Sequence, residues 1–170
     1  MSIKIIKKIT FLFIFILSSN ILNAEEDLKS LGKFKNWETF KLIQENNKIC
    51  FAQSLPLIRS PKSFEREPSR LFVTFRPAEK IVNEISLTNG YEFKKASQVT
   101  IKSGKKAFKL FSKGKFAWAL DADELKLIKA MKKASRVMII GTGTKGNQTT
   151  DHYSMMGFTK AYNLAKKNCT

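Results

Sequence analysis

From residue 37 to residue 120 the chain is a succession of short runs rich in aromatic and β-branched side chains, each closed by turn-forming residues. This punctuation limits the fold more than any other feature. Runs this short bury a face most readily as strands, and turns about every eight to twelve residues belong to antiparallel sandwiches and barrels. Residues 37–43 and 48–55 read as two strands joined at Glu45-Asn46-Asn47 in a hairpin. Three of the four prolines fall within 56–68, which makes that stretch a loop or a sheet edge, because proline removes a ladder donor. Residues 71–76 alternate and stop at Pro77, and 82–88 end at Asn89-Gly90. Residues 99–102, 106–111 and 115–120 form a meander that turns at Ser103-Gly104 and Lys113-Gly114.

After residue 120 the period changes. Leu127, Ala130, Met131 and Ala134 share one helical face, and Asp121 with Glu124 three residues later is placed to cap that helix. A short apolar strand at 136–140, a glycine-rich stretch at 141–146 and a strand at 149–155 follow. Phe158, Ala161, Tyr162, Ala165 and Cys169 then recur at intervals of three and four, so the chain closes in an amphipathic helix. The sum is a mainly β domain. Its pattern is a β-sandwich of about eight or more short strands with two helices, at about 121–134 and 157–168, and not an alternating α/β sheet.

Residues 1–24 read as a secretory signal peptide. Lys4, Lys7 and Lys8 precede the apolar block 9–17, and Leu22-Asn23-Ala24 offers a small residue before Glu25-Glu26-Asp27. The block is too short to cross a hydrocarbon core of ~30 Å. Cleavage near Ala24 would leave a periplasmic or secreted protein, with 25–36 a short polar leader and 37–170 a single domain. In an exported chain the two cysteines, Cys50 and Cys169, are expected to form a disulfide that pins the last helix to an early strand.

The formal charge is +17, and +14 without Lys4, Lys7 and Lys8. Such an excess favours anionic partners, namely acidic polysaccharide, lipopolysaccharide, phospholipid surfaces or nucleic acid; an acidic polymer or an envelope protein is the expected partner, with peripheral membrane contact compatible with the charge. Lysine is in excess over arginine, which an AT-rich genome also produces. Residues 93–120 contain Lys94, Lys95, Lys102, Lys105, Lys106, Lys109, Lys113 and Lys115 and no acid, interleaved with Phe108, Phe111, Phe116 and Trp118. Nucleic-acid binders stack bases on rings spaced in this way. Sandwich cores bury them at the same spacing, with lysine as the solvated partner. The core is the expected place for these four rings, the eight lysines are the candidate anionic surface, and nucleic acid is not the expected partner.

Two motifs invite enzymatic readings. Gly141-Thr142-Gly143-Thr144-Lys145-Gly146 follows a strand and matches G-x-G-x-x-G, but a dinucleotide site needs a helix to open at the third glycine. The residues that follow have no helical period, so neither a nucleotide nor any other cofactor is expected. Asp151, His152 and Ser154 could serve a hydrolase of an envelope polymer. No nucleophile elbow or oxyanion glycine accompanies them, so the expectation is an exposed histidine beside an aspartate that satisfies a turn, with no catalytic residue. One histidine and two paired cysteines leave no transition-metal site.

The block Met138-Ile139-Ile140-Gly141, then Gly146, then Thr150-Asp151-His152-Tyr153-Ser154-Met155-Met156-Gly157-Phe158-Thr159-Lys160-Ala161 and the terminal Cys169 resemble the invasion associated locus B family. Trp37, Cys50-Phe51-Ala52, Phe75-Arg76-Pro77, Asn83-Glu84-Ile85-Ser86 and Ala117-Trp118 agree with that pattern. The resemblance implies an exported bacterial protein with an immunoglobulin-like β-sandwich. It brings no catalytic residues to carry over, and the invasion label does not transfer on fold alone. The functional expectation is a non-enzymatic envelope protein that acts as an interaction module.

Overall fold

The computed structural model describes residues 27–44 and 47–169. The expected signal peptide, its expected cleavage point and the first two residues of the Glu45-Asn46-Asn47 turn lie outside the described residues. Among the described residues there are eleven strands: β1 (Asp27–Phe34), β2 (Trp37–Gln44), β3 (Asn47–Ser54), β4 (Ile58–Ser60), β5 (Arg70–Arg76), β6 (Ile81–Thr88), β7 (Val99–Ser103), β8 (Lys106–Lys113), β9 (Phe116–Ala119), β10 (Arg136–Thr142) and β11 (Gln148–Ser154). Two α-helices accompany them, α1 (Asp121–Lys133) and α2 (Phe158–Cys169). The mainly β architecture with two helices is the expected one.

The strands form one antiparallel ladder in the order β1-β2-β3-β5-β6-β9-β8-β7-β10-β11-β4. It is not flat. β2 and β11 stand eight places apart, roughly 38 Å in a flat sheet. Yet Trp37 Nε1 donates to Ser154 O at 2.9 Å, and Asn36 N–H to Met156 O at 3.3 Å. The two layers expected of a sandwich are therefore halves of one sheet doubled over a common core. Trp37, Val73, Ile85, Leu87, Ile101, Ile139 and Tyr153 fill that core and are essentially inaccessible. Gly157 allows the seam to close: its φ is +93°, and a Cβ there would overlap the Phe34 carbonyl.

Helix α2 packs against the inner face of β2, β3 and β5. Phe158 meets Trp37 at 4.8 Å between ring centroids, Tyr162 meets Phe75 at 5.6 Å, and Thr39 Oγ1 donates to Ala161 O at 3.1 Å. The Cys50–Cys169 disulfide joins β3 to the end of α2, with a Cα–Cα distance of 5.8 Å across 119 residues of sequence.

Two local expectations are corrected, and a third, a loop or a sheet edge at the prolines, is met. Residues 25–36 were expected to be a leader, but from Asp27 they form edge strand β1, paired along β2 from Asp27↔Ile43 to Phe34↔Trp37. Its first four residues are exposed, so it has little of the apolar alternation that marks a half-buried strand. The proline-rich stretch contributes β4, the opposite edge of the ladder. Helix α1 is capped by Leu120 without a side-chain hydrogen bond, and Asp121 is its first helical residue. Asp121 and Asp123 still favour that end through the helix dipole.

Candidate functional site: a lysine cleft and an aromatic outer face

The β7–β8 turn lies beside the C-terminal half of α1, where Ser103 Oγ reaches Ala130 O at 3.4 Å. Burial of Leu127, Ile128 and Met131 fixes the rotation of the helix. Lys129 and Lys133, four residues apart, then share a face with Ala130 toward the turn. The turn supplies Lys105 and Lys106. The four lysines line a cleft of about 430 Å³ with no carboxylate among its lining residues. Lys132 lies instead over the Tyr162 ring, 3.9 Å from its centroid. Burial, and then the charge of Lys166, hold the Lys132 ammonium below the usual lysine range. Like charges gathered around a concave surface create a positive potential that an anion relieves.

The structure divides the eight candidate lysines. Lys105 and Lys106 line the cleft. Lys102 on β7 and Lys109 and Lys113 on β8 alternate with the inward residues Ile101, Phe108 and Leu110, which places them on the outer face. Lys115 pairs with Glu67 at the surface, and Lys94 and Lys95 lie exposed in the β6–β7 connection. Lys129 and Lys133 were missed. Their signal was available, as two lysines at i and i+4 beside the apolar face of a helix.

The aromatic residues correct the expectation of a common core. Phe108 is buried, whereas Phe111 and Phe116 are 53% and 43% exposed and Trp118 is half-buried on the outer face. Pairing explains this. Leu110↔Ala119 and Ser112↔Ala117 alternate with Phe111↔Trp118 and Lys113↔Phe116, and it is the alanine side that points inward. The Phe111 and Trp118 rings lie 5.4 Å apart and 19° from parallel. Farther along the same face Phe40 and Phe51 stack at 5.3 Å and 20°. Phe72 and Trp118 both register with Ser86 of β6, leaving a trough of about 290 Å³ floored by Ser86, walled by Phe51, Phe72, Phe116 and Trp118, and lined also by Thr74, Arg76 and Glu84.

Asp151, His152 and Ser154 are not brought together. Asp151 points inward and is fully buried in a bidentate ion pair with Arg66, so it is not the turn aspartate expected from sequence. Arg66 also donates to Asn89 O at 2.6 Å and to Ser69 Oγ at 2.7 Å, while Arg59 donates to Arg66 O at 3.1 Å. The cluster holds the proline-rich connection against β11. His152 takes the opposite face of β11 and is half-buried; its carbonyl accepts from Leu57 N–H at 2.8 Å. Ser154 Oγ accepts from Met156 N–H at 3.1 Å. Between the ion pair and the core, burial raises Tyr153 well above the usual phenol range.

The Gly141–Gly146 motif forms the β10–β11 hairpin, with Gly143 N–H on Asn147 O at 2.9 Å and Gly146 N–H on Gly143 O at 2.8 Å. A strand follows it, where a dinucleotide site requires a helix N-terminus. Among the described residues no group of three or more His, Cys, Asp or Glu is placed to hold a metal ion, and no helix is long and apolar enough to cross a membrane.

No curated protein and no solved structure matches the chain. The family model for the Invasion associated locus B (IalB) protein matches residues 37–166, which run from the inward Trp37 of β2 to the last turn of α2. With three-quarters of its length inside that match, the chain belongs to the Invasion associated locus B family.

Proposed function

We propose that this protein is an exported, non-enzymatic interaction module of the bacterial envelope, and that it holds an acidic polymer through the cleft of Lys105, Lys106, Lys129 and Lys133. The observation that carries this reading is the cleft itself, which gathers four ammonium groups from two elements with no carboxylate in its lining. A scattered lysine excess gives diffuse attraction that salt screens over about 8–10 Å; a concave cluster focuses it on one site. The non-enzymatic part is supported by Asp151, whose carboxylate is committed to Arg66, and by His152 on the other face of the strand. Export is supported by the layout of residues 1–24 and by a buried disulfide, a bond typical of oxidising compartments.

The test is retention of envelope components by the immobilised protein at low and high salt, with N-terminal sequencing of the protein recovered from cells. The proposal expects an acidic polymer to be retained at low salt and released as salt rises, and a mature N-terminus at Glu25. A neutral ligand held equally at high salt would overturn the cleft. An intact Met1 on cytoplasmic protein would overturn export.

A further inference from the structure

The outer face is a second surface, chemically different from the cleft. Phe111, Phe116 and Val82 are each 43–53% exposed. Val82, Phe111 and Trp118 line one groove together with Lys80, Glu84, Asp121 and Glu124, and Phe116 and Trp118 line the trough over Ser86. On a monomer in water so many large apolar groups close together mark a surface that is covered in use.

The ring geometry selects the kind of partner. Bases and sugars are held by rings that present their faces. Here Phe111 and Trp118, 19° from parallel, turn their faces to each other, as Phe40 and Phe51 do. What such pairs present outward is apolar edge. The walls of the trough stand on β5 and β9, two strand spacings apart, or roughly 9.6 Å. One hydrocarbon chain in van der Waals contact at ~4 Å on either side occupies that width. Lys109 and Lys113 flank Phe111 on β8 and have no carboxylate partner among the described residues. Glu84 on the same face is paired with Arg76 at 2.9 Å. A second copy joined about a twofold axis through Phe111 would set Lys109 and Lys113 against their own kind. Apolar edges flanked on β8 by Lys109 and Lys113 suit the interfacial zone of an anionic bilayer, where aromatic rings sit at headgroup level and each lysine meets negative charge, while Asp121 and Glu124 border the groove on its α1 side.

We propose that the outer face of β5, β6, β9 and β8 docks on an anionic lipid bilayer, with Phe111, Phe116 and Trp118 entering the interface, one acyl chain lying in the trough over Ser86, and Lys109 and Lys113 meeting the headgroups. This does not depend on the lysine cleft.

Tryptophan provides the test. The chain has two tryptophans, and Trp37 is fully buried, so Trp118 reports on the outer face. Purified protein is titrated with vesicles of phosphatidylcholine alone, phosphatidylcholine with phosphatidylglycerol, and the same mixture with brominated acyl chains. The expected result is a blue shift and bromine quenching with the anionic vesicles only. Quenching should be lost in Trp118→Phe, affinity should fall at least about tenfold in Phe111→Ser/Phe116→Ser, and Lys129→Glu/Lys133→Glu should leave quenching intact. Sedimentation with anionic vesicles without quenching, or with affinity unchanged in the phenylalanine double variant, would mean adhesion by charge alone and overturn the proposal. Absence of vesicle binding, with an envelope protein captured in a way that Phe111→Ser/Phe116→Ser abolishes, would also overturn it and identify the face as a protein interface.

Discussion

Asp151→Ala should be among the most damaging single substitutions in this domain. The Asp151 side chain is inaccessible and that of Arg66 is 1% exposed. The pair is bidentate, and Arg66 makes two further hydrogen bonds, to Asn89 O and Ser69 Oγ. Removing the carboxylate leaves a guanidinium out of water with only neutral acceptors, at a cost of about 3–5 kcal/mol. With a urea m-value of about 2 kcal/mol/M the midpoint should fall by about 2 M. Arg66→Met alone should cost a similar amount, because it strands the carboxylate. Arg66→Met/Asp151→Leu removes both charges and should cost much less than the sum, with a coupling energy of about 2–3 kcal/mol. Urea unfolding of the four proteins of that cycle, followed by circular dichroism, measures it. A single-variant loss below about 1 kcal/mol, or strict additivity, would refute a buried and mutually dependent pair.

Further outcomes follow from other parts of the fold. Replacing Cys50 and Cys169 by serine opens a loop of 119 residues and should lower stability by up to about 5 kcal/mol, read as the difference in urea midpoint from the oxidised parent. Burial first, then the charge of Asp121, push Glu124 up to about 7. The folded state therefore binds its proton more tightly than the unfolded state, so stability is highest below pH ~4.5 for this group and declines as pH rises to about 7. Because Glu124 is only half-buried, solvent screening reduces the effect to about 1 kcal/mol; Glu124→Gln should flatten that part of a stability–pH curve, and an unchanged slope would contradict the assignment. Gly157→Ala should cost about 2 kcal/mol or more in thermal or urea unfolding, since it combines a left-handed φ with overlap of the Phe34 carbonyl at the seam.

Much of the fold is legible because it rests on local signals. The turns at Ser103-Gly104 and Lys113-Gly114, both helices and the inward face of α2 follow from residue type and period, and the disulfide joins elements that the sequence had paired. β1 was not legible because ladder hydrogen bonds to β2 hold an edge strand whose outer end buries no side chain. On β8 and β9 the period of two shows which residues share a face but not which face is inside. Spacing suggested that Phe111, Phe116 and Trp118 were core, whereas the sheet turns Ala117 and Ala119 inward. The partnership of Arg66 with Asp151, 85 residues apart, and the meeting of Lys105 and Lys106 with Lys129 and Lys133, are products of the tertiary fold.

The proposed function turns on whether the cleft, and not the overall charge, binds acidic polymer. The direct measurement is calorimetric titration of one acidic envelope polysaccharide into the parent, Lys129→Glu/Lys133→Glu and Lys94→Glu/Lys95→Glu, at fixed ionic strength. The two variants change net charge equally, at the cleft or away from it. A loss of affinity of at least about tenfold confined to the cleft variant is the result predicted here. Equal losses in both variants would contradict a cleft and leave only a basic surface.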